Sequence, residues 1–257
     1  MDSDETAAET IPAWWHALVG QRCDEEMLRD NGRSVSFAEI DRRAEGIARG
    51  LLAHGAGKGT RVAILFPNRA EWLVSWLAVS RIGGIAVTLS TFFAPPEIAY
   101  TLAHADVAFV LSAREYLGHR YDERLAAAIP DLAECAGDAP LALPQCPHLR
   151  GIWFDERSGA PWSAGGFDDL IRDGESSPVS SPEMFAAVER AVSPADLALL
   201  MYTSGSTAAP KGVVHTQATV AGKIAYMARI NAIIPNEIAE GDRTLINMPM
   251  FWVGGFL

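Results

Sequence analysis

The sequence predicts an α/β fold in which helices flank a parallel sheet. Two observations predict it: short apolar runs alternate along the chain with helix-spaced segments, and the runs are apolar throughout, as in strands buried on both faces. Of the 257 residues, 49% are hydrophobic and 21% are charged, which excludes disorder as a description of the whole chain.

The first predicted helix begins at a capping box formed by Ser36 and Glu39. Apolar residues then recur at helical spacing until Gly55, which can end the helix. A second capping box, Asn68 with Glu71, predicts another helix, which runs to the glycine pair at 83–84. Both helices are expected to lie against the sheet.

The apolar runs predict the strands, and a pair of prolines, Pro95 and Pro96, predicts a further helix between the second and third of them. The order strand, helix, strand, helix, strand is typical of parallel sheets. The predicted strands are Arg61–Phe66, Ile85–Leu89, Val107–Leu111, Gly151–Phe154 and Asp196–Tyr202.

Periodicity weakens between Ala113 and Pro194, where Gly, Pro and Ser are frequent and acidic residues dominate. This pattern indicates long connections with a solvated face. We expect one domain over residues 1–257, with a subdomain boundary near residue 194.

Charge and cysteine usage exclude several function classes. With 32 acidic and 21 basic residues the net charge is −11, which argues against binding to nucleic acid or to an anionic membrane. Three cysteines without C-x-x-C spacing suggest neither a disulfide framework nor a zinc knuckle. Without a secretory leader pattern or an apolar run of about 18 residues, we expect a soluble cytoplasmic protein without a membrane span. No histidine spacing indicates a metal site.

A loop of small residues, residues 203–212, follows the last predicted strand directly. Its hydroxyls and backbone N–H groups can converge on an anion, and Lys211 adds a positive charge in a stretch without acidic residues. The alternative is an ordinary Ser/Gly/Pro surface turn. A P-loop NTPase is disfavoured, because Pro210 precedes the lysine and Gly212 follows it.

The segment Tyr202–His215, YTSGSTAAPKGVVH, resembles the phosphate loop of the AMP-forming acyl-CoA synthetase and adenylate-forming ligase superfamily. Met248–Gly255 is similar to the family segment that lines the acyl pocket. Further similar stretches cover nearly the whole chain: Ser36–Ile40, Arg42–Gly55, Gly59–Asn68, Trp72–Gly84 and Glu97–Leu102.

The resemblance implies the N-terminal part of an adenylate-forming enzyme. Such an enzyme joins a carboxylic acid to ATP with Mg²⁺, releases pyrophosphate, and transfers the acyl group to coenzyme A. The resemblance also implies that Lys211 neutralises phosphate charge and that Thr203 is a candidate magnesium contact. The residues implied to bind ATP phosphates are Thr203, Ser204, Gly205, Ser206, Thr207, Lys211 and Gly212.

Two positions depart from the family pattern. Ala208 stands where most members have glycine, which either loosens phosphate binding or marks a branch that tolerates a small side chain. Trp252 stands where many members have histidine and amino-acid-activating domains have aspartate. We assign Trp252 and Gly254 to an apolar substrate pocket suited to fatty or alicyclic acids. The alternative is that Trp252 packs in the core.

Since the sequence finishes in an uncharged apolar segment, we expect a truncated N-terminal domain with little or no turnover of its own. The alternative is a non-catalytic ATP-binding or assembly module. Its apolar C-terminus would pair with a separate C-terminal half or with a second copy. An unrelated phosphate-loop hydrolase is a third hypothesis, which the spacing around Lys211 weakens.

Overall fold

A computed structural model describes residues 9–136, 139–203, 210–233 and 245–256, leaving aside the side chains of 228–233 and 256. A seven-stranded sheet carries helices on its faces, and two small antiparallel hairpins lie beside it. The strands are β1 Glu26–Asp30, β2 Arg33–Ser36, β3 Arg61–Leu65, β4 Ile85–Thr88, β5 Phe109–Ser112, β6 Glu115–Tyr116, β7 His119–Arg120, β8 Gly151–Phe154, β9 Gly165–Gly166, β10 Leu197–Thr203 and β11 Lys211–Thr216. The helices are α1 Ile11–Arg22, α2 Phe37–Ala53, α3 Ala70–Arg81, α4 Pro95–His104, α5 Tyr121–Ala128, α6 Phe167–Ser176, α7 Pro182–Arg190, α8 Gln217–Ile233 and α9 Val253–Phe256.

The sheet order is β11-β10-β4-β3-β5-β8-β9, and every neighbouring pair except β10 and β11 is parallel. The predicted α/β fold with a parallel sheet flanked by helices is confirmed, and all five predicted strands exist. The antiparallel edge strand β11 was not predicted. Its apolar content is only the pair Val213 and Val214, which is too short to indicate a strand by periodicity.

The expectation of long connections between residues 113 and 194 is wrong in part, because α5, α6 and α7 lie there. Helix α6 packs on α2 at very short range. A Cβ on Gly50 would lie 2.3 Å from the Leu170 carbonyl oxygen, and one on Gly174 would lie 2.5 Å from the Gly50 nitrogen. The glycines inside these helices therefore permit a close crossing, which outweighs their low helix propensity.

The predicted capping box at Asn68 and Glu71 is also wrong. Helix α3 is capped at Arg69, whose side chain makes no capping hydrogen bond, and the Ala70 N–H donates instead to Asp30 Oδ2 at 3.1 Å. Glu71 accepts a 2.6 Å hydrogen bond from Arg43. A carboxylate from a distant hairpin therefore takes the place of the local cap.

The sheet runs across the expected boundary near residue 194, because β10 pairs with β4. The subdomain boundary stays a prediction.

Within the described residues, no helix combines the length and apolar character needed to cross a bilayer.

A buried guanidinium joins the helices on one side of the sheet. Arg81, at the end of α3, is 2% exposed and donates to Asp41 of α2 at 2.9 Å and to Glu189 of α7 at 2.5 Å. From α1, Trp15 donates to Asp41 at 2.7 Å and His16 contacts Glu189 at 2.8 Å. The cation thus joins α2, α3 and α7 directly, and α1 bonds its two carboxylate partners, so the buried charge of Arg81 is paired.

We expect Arg81→Ala to lower the free energy of unfolding by about 3–5 kcal/mol, because it leaves the Asp41 and Glu189 carboxylates without their cation. Arg33→Ala is the matched control. It removes an exposed pair with Glu39, which contributes at most about 1 kcal/mol. Urea titration of both variants measures the difference, and equal losses would contradict a special role for the buried cation.

The His16–Glu189 pair predicts a pH-dependent stability. The hydrogen bond to Glu189 raises the pKa of His16, although burial opposes the rise. A raised histidine pKa stabilises the fold below the unfolded pKa of about 6.5, and that contribution disappears as the pH rises through the folded value. His16→Gln should therefore lower the free energy of unfolding more at pH 6 than at pH 9, with a difference of at most about 1 kcal/mol because His16 is half exposed. Thermal unfolding at the two pH values measures this difference.

Burial raises the pKa of Glu189, but hydrogen bonds from His16 and Arg81 outweigh that effect and hold the pKa below its usual value. Glu189 therefore stays ionised at both test pH values. His119→Gln, at an exposed histidine on β7, controls for the loss of an imidazole. A pH-independent difference between parent and His16→Gln would refute the linkage.

Candidate functional site

The carboxyl ends of the parallel strands meet at one edge of the sheet, the usual place for ligands in open α/β sheets. Thr88, the last residue of β4, is in register with Met201 of β10. The segments that follow these two strands therefore start side by side, and the segment after β10 contains the residues that the sequence predicts to bind phosphate.

The predicted phosphate loop connects β10 to β11 across an antiparallel pair. Thr203 is in register with Lys211, and its hydroxyl donates to the Lys211 carbonyl at 3.4 Å. Both side chains are exposed, and Gly212 lies opposite Tyr202. The remaining predicted phosphate contacts and the Ala208 departure lie outside the described residues: Ser204, Gly205, Ser206, Thr207 and Ala208.

Helix α4 contacts the chain on both sides of this loop. Tyr100 Oη donates to the Pro210 carbonyl at 3.3 Å, and His104 Nδ1 lies 2.8 Å from Tyr202 Oη. The rings of Tyr100 and His104 stack at 5.1 Å. Burial raises the pKa of Tyr202 to about 12, so its phenol keeps its proton at neutral pH. Sequence reasoning missed these contacts, because α4 is about 100 residues from the loop.

The segment 245–252, here called the edge segment, lies over the ends of β3 and β4. Asn68, just after β3, bonds three backbone groups of this segment through its side-chain amide. From β4, the Thr88 hydroxyl donates to the Phe251 carbonyl at 3.2 Å. These bonds hold the backbone that leads directly into Trp252 at the carboxyl edge of the sheet, and Gly254 follows in α9.

Three aromatic rings meet where the edge segment crosses β4. Phe251 is 4% exposed, whereas Trp252 is 46% exposed and contacts it edge-to-face at 5.4 Å. Phe92 contacts both rings although it is 71% exposed. Core packing therefore describes Phe251 but not Trp252, whose ring remains open to solvent. Sequence reasoning missed Phe92, because one exposed aromatic residue has no recognisable pattern.

Several charged groups outside this edge form ion pairs within the fold. Among the described residues, no group of three His, Cys, Asp or Glu side chains could hold a metal ion. Three histidines without metal spacing pair with carboxylates instead: His16 with Glu189, His54 with Asp173 and His148 with Asp106. The magnesium contact at Thr203 stays a prediction.

Known proteins resemble this chain in sequence and in fold. The profile of a family described as "AMP-binding enzyme" matches residues 15–257. The chain is 30% identical over 224 residues to 4-coumarate–CoA ligase 2 of Oryza sativa subsp. japonica, covering 86% of this chain and 36% of that enzyme. Other similar curated relatives are likewise covered over only 32% to 43% of their length.

Solved structures show the same fold. The inhibitor-bound N-terminal domain of FACL13 from Mycobacterium tuberculosis has a TM-score of 0.68 at 23% identity, with 96% of this chain and 53% of that chain covered. The anthranilate CoA ligase AuaEII in complex with anthranoyl-AMP has a TM-score of 0.68 at 21% identity, with 94% and 40% covered.

Two adjacent glycines allow a test of the edge segment. A Cβ on Gly255 would lie 2.2 Å from the Pro249 carbonyl oxygen, so the backbone must move, whereas one on Gly254 meets only the flexible end of Met248 at 2.7 Å. Gly255→Ala should therefore speed amide exchange in residues 245–256 at least about fivefold, and Gly254→Ala should change it less than about twofold. Hydrogen–deuterium exchange measures both, and similar rates in the two variants would disprove this packing.

Proposed function

Because the chain belongs to the family of AMP-binding enzymes, we propose that it is the N-terminal part of an AMP-forming acid–CoA ligase. In the reaction, a carboxylate oxygen attacks the α-phosphorus of ATP and pyrophosphate leaves, which yields an acyl-adenylate. The coenzyme A thiol then displaces AMP and forms the thioester. Neither step needs a nucleophilic side chain, so the protein contributes positioning and charge neutralisation.

The observation that carries the proposal is the hairpin at the carboxyl edge of the sheet. The family-like segment Tyr202–His215 contains the connection between β10 and β11, so its small residues follow directly on an inner strand of the sheet. Lys211 leaves the turn opposite Thr203. A phosphate group between these two flanks would meet hydroxyls, backbone N–H groups and one ammonium, and no acidic residue within the segment.

We assign the ATP phosphates to this hairpin. Lys211 would neutralise charge on the departing pyrophosphate, and Thr203 would help to hold Mg²⁺, which would supply further positive charge there. The remaining contacts would come from Ser204, Gly205, Ser206, Thr207 and Gly212.

We assign the acid to the edge segment beside the hairpin. Trp252 presents a half-exposed indole there, and the uncharged Gly254 lies next to it. No carboxylate stands at position 252 to pair with an α-ammonium group, which disfavours amino acids. Acids with apolar acyl groups, fatty or alicyclic, fit the apolar surface that Trp252 presents. Because one relative is named for 4-coumarate, aromatic acids are also tested.

Turnover by this chain alone is a separate question, since the chain spans 36% of the rice ligase. We propose that it binds ATP phosphates but needs further residues for catalysis. The second candidate is an assembly module that pairs with a separate C-terminal half or with another copy. The exposed outer strand β11 favours this candidate, because its Val213 and Val214 side chains are 41% and 46% exposed.

A cytoplasmic location fits the three free cysteines.

The test combines thermal unfolding with pyrophosphate–ATP exchange. We expect MgATP to raise the Tm of the parent chain, and Lys211→Ala to weaken ATP binding at least about tenfold, because hydrogen bonds to charged groups contribute about 1.5–3 kcal/mol. Lys223→Ala, on the neighbouring helix α8, is the matched control and should bind ATP like the parent. Labelled pyrophosphate should not enter ATP with benzoate, 4-coumarate, cyclohexanecarboxylate or octanoate when the chain acts alone.

The outcomes separate the candidates. Acid-dependent exchange that Lys211→Ala abolishes would show that this chain makes acyl-adenylate unaided. The absence of any ATP effect on the Tm of the parent would contradict the phosphate site. Formation of ADP would indicate a hydrolase, and co-purification of a second polypeptide would favour the assembly module.

A further inference from the structure

Asn68 makes an unusual set of contacts for a residue that begins a connection. Its Nδ2 group donates to the carbonyls of Ile246 and Met248 at 3.2 and 2.8 Å, and its Oδ1 accepts from the Met250 N–H at 2.8 Å. Both donors and the acceptor are used, across about 180 residues of sequence. A carbonyl and the N–H two residues later are the partners that a residue of a parallel strand would take, so the side chain replaces a neighbouring strand.

The backbone that carries this amide is fixed on both sides. Pro67 and the buried end of β3 precede Asn68, and α3 follows it. The first turn of α3 is held by the Asp30 carboxylate, which accepts from the Ala70 N–H at 3.1 Å. The amide therefore projects from the short connection between β3 and α3 towards the edge segment, which pairs with no strand in the described residues.

The edge segment that Asn68 holds continues directly into the cluster of three aromatic rings. Phe251 follows the Met250 contact at once, and its carbonyl accepts from Thr88. Trp252 then packs on Phe251 and Phe92. The three Asn68 hydrogen bonds and the single Thr88 hydrogen bond thus determine where the half-exposed indole stands relative to β4.

We propose that Asn68 is a positioning residue for the carboxylate pocket: it fixes the edge segment and thereby places Trp252, without itself contacting substrate. This rests on the proposed ligase function for the identity of the ligand, but not for the position of the segment. Losing the amide frees two carbonyls and one N–H, which water can solvate at this exposed place. The fold then survives while the edge segment loosens.

The first measurement is hydrogen–deuterium exchange on the full chain. Asn68→Ala should speed exchange in peptides covering residues 246–252 at least about fivefold, with exchange in β3, β4 and β5 unchanged. Asn247→Ala, an exposed asparagine within the edge segment, is the matched control and should exchange like the parent. Asn68→Asp keeps the acceptor for Met250 but turns a carboxylate towards two carbonyls, so it should not restore protection. Parent-like exchange in Asn68→Ala would overturn the proposal.

The second measurement separates the acid from ATP. With 4-coumarate and octanoate as probes, Asn68→Ala should weaken acid binding about tenfold and leave MgATP binding within about twofold, because the phosphate hairpin lies on another strand pair. Equal loss of both affinities would indicate general destabilisation and would overturn a positioning role. If exchange rises but neither acid binds the parent, the positioning of the segment stands and the proposed ligase function of this chain fails.

Discussion

Parallel pairing between β10 and β4 is the constraint on which the candidate site depends. The register of Leu199 to Met201 with Ala86 to Thr88 joins strands more than 100 residues apart and aligns their carboxyl ends. A parallel pair cannot be closed by a tight turn, so each strand leaves the edge through a connection of its own. The phosphate hairpin and the loop that carries Phe92 therefore emerge side by side, and the proposed sites for ATP phosphates and for the acid use that adjacency.

The helices keep this pairing in place through polar contacts that cross the fold. Gln217, fully buried at the start of α8, accepts from the Ile11 N–H at 3.0 Å and donates to the Ser80 carbonyl at 3.3 Å. Its own N–H bonds to the Asp196 carbonyl just before β10. One residue thus connects α1 and α3 through its side-chain amide and the start of β10 through its backbone N–H. Next to Ser80, the Arg81 cation joins α3 to α2 and α7. Directional hydrogen bonds and ion pairs therefore fix the helices that pack beside this edge of the sheet.

The sequence predicts those parts of the fold that depend on local patterns. The strands around Val62, Ala86 and Val110 are buried on both faces and appear as uninterrupted apolar runs. Ser36 does cap α2, since its hydroxyl accepts from the Glu39 N–H. Asn68 has the same local pattern but no capping role, because its amide is engaged by the edge segment and Asp30 caps the helix instead. A capping residue and a tertiary anchor cannot be distinguished without knowing what lies opposite.

The same reasoning separates the residues that act from those that position. Lys211 and the small residues around it can be recognised because phosphate binding needs them close together in sequence. Asn68, Thr88 and Tyr100 cannot, because each bonds a backbone group of a distant segment. A backbone partner is present whatever side chain the partner residue carries. The hydrogen bonds that hold the edge segment are therefore available whether residue 252 is tryptophan, histidine or aspartate, so the side chain at 252 can change the chemistry of the pocket without removing them.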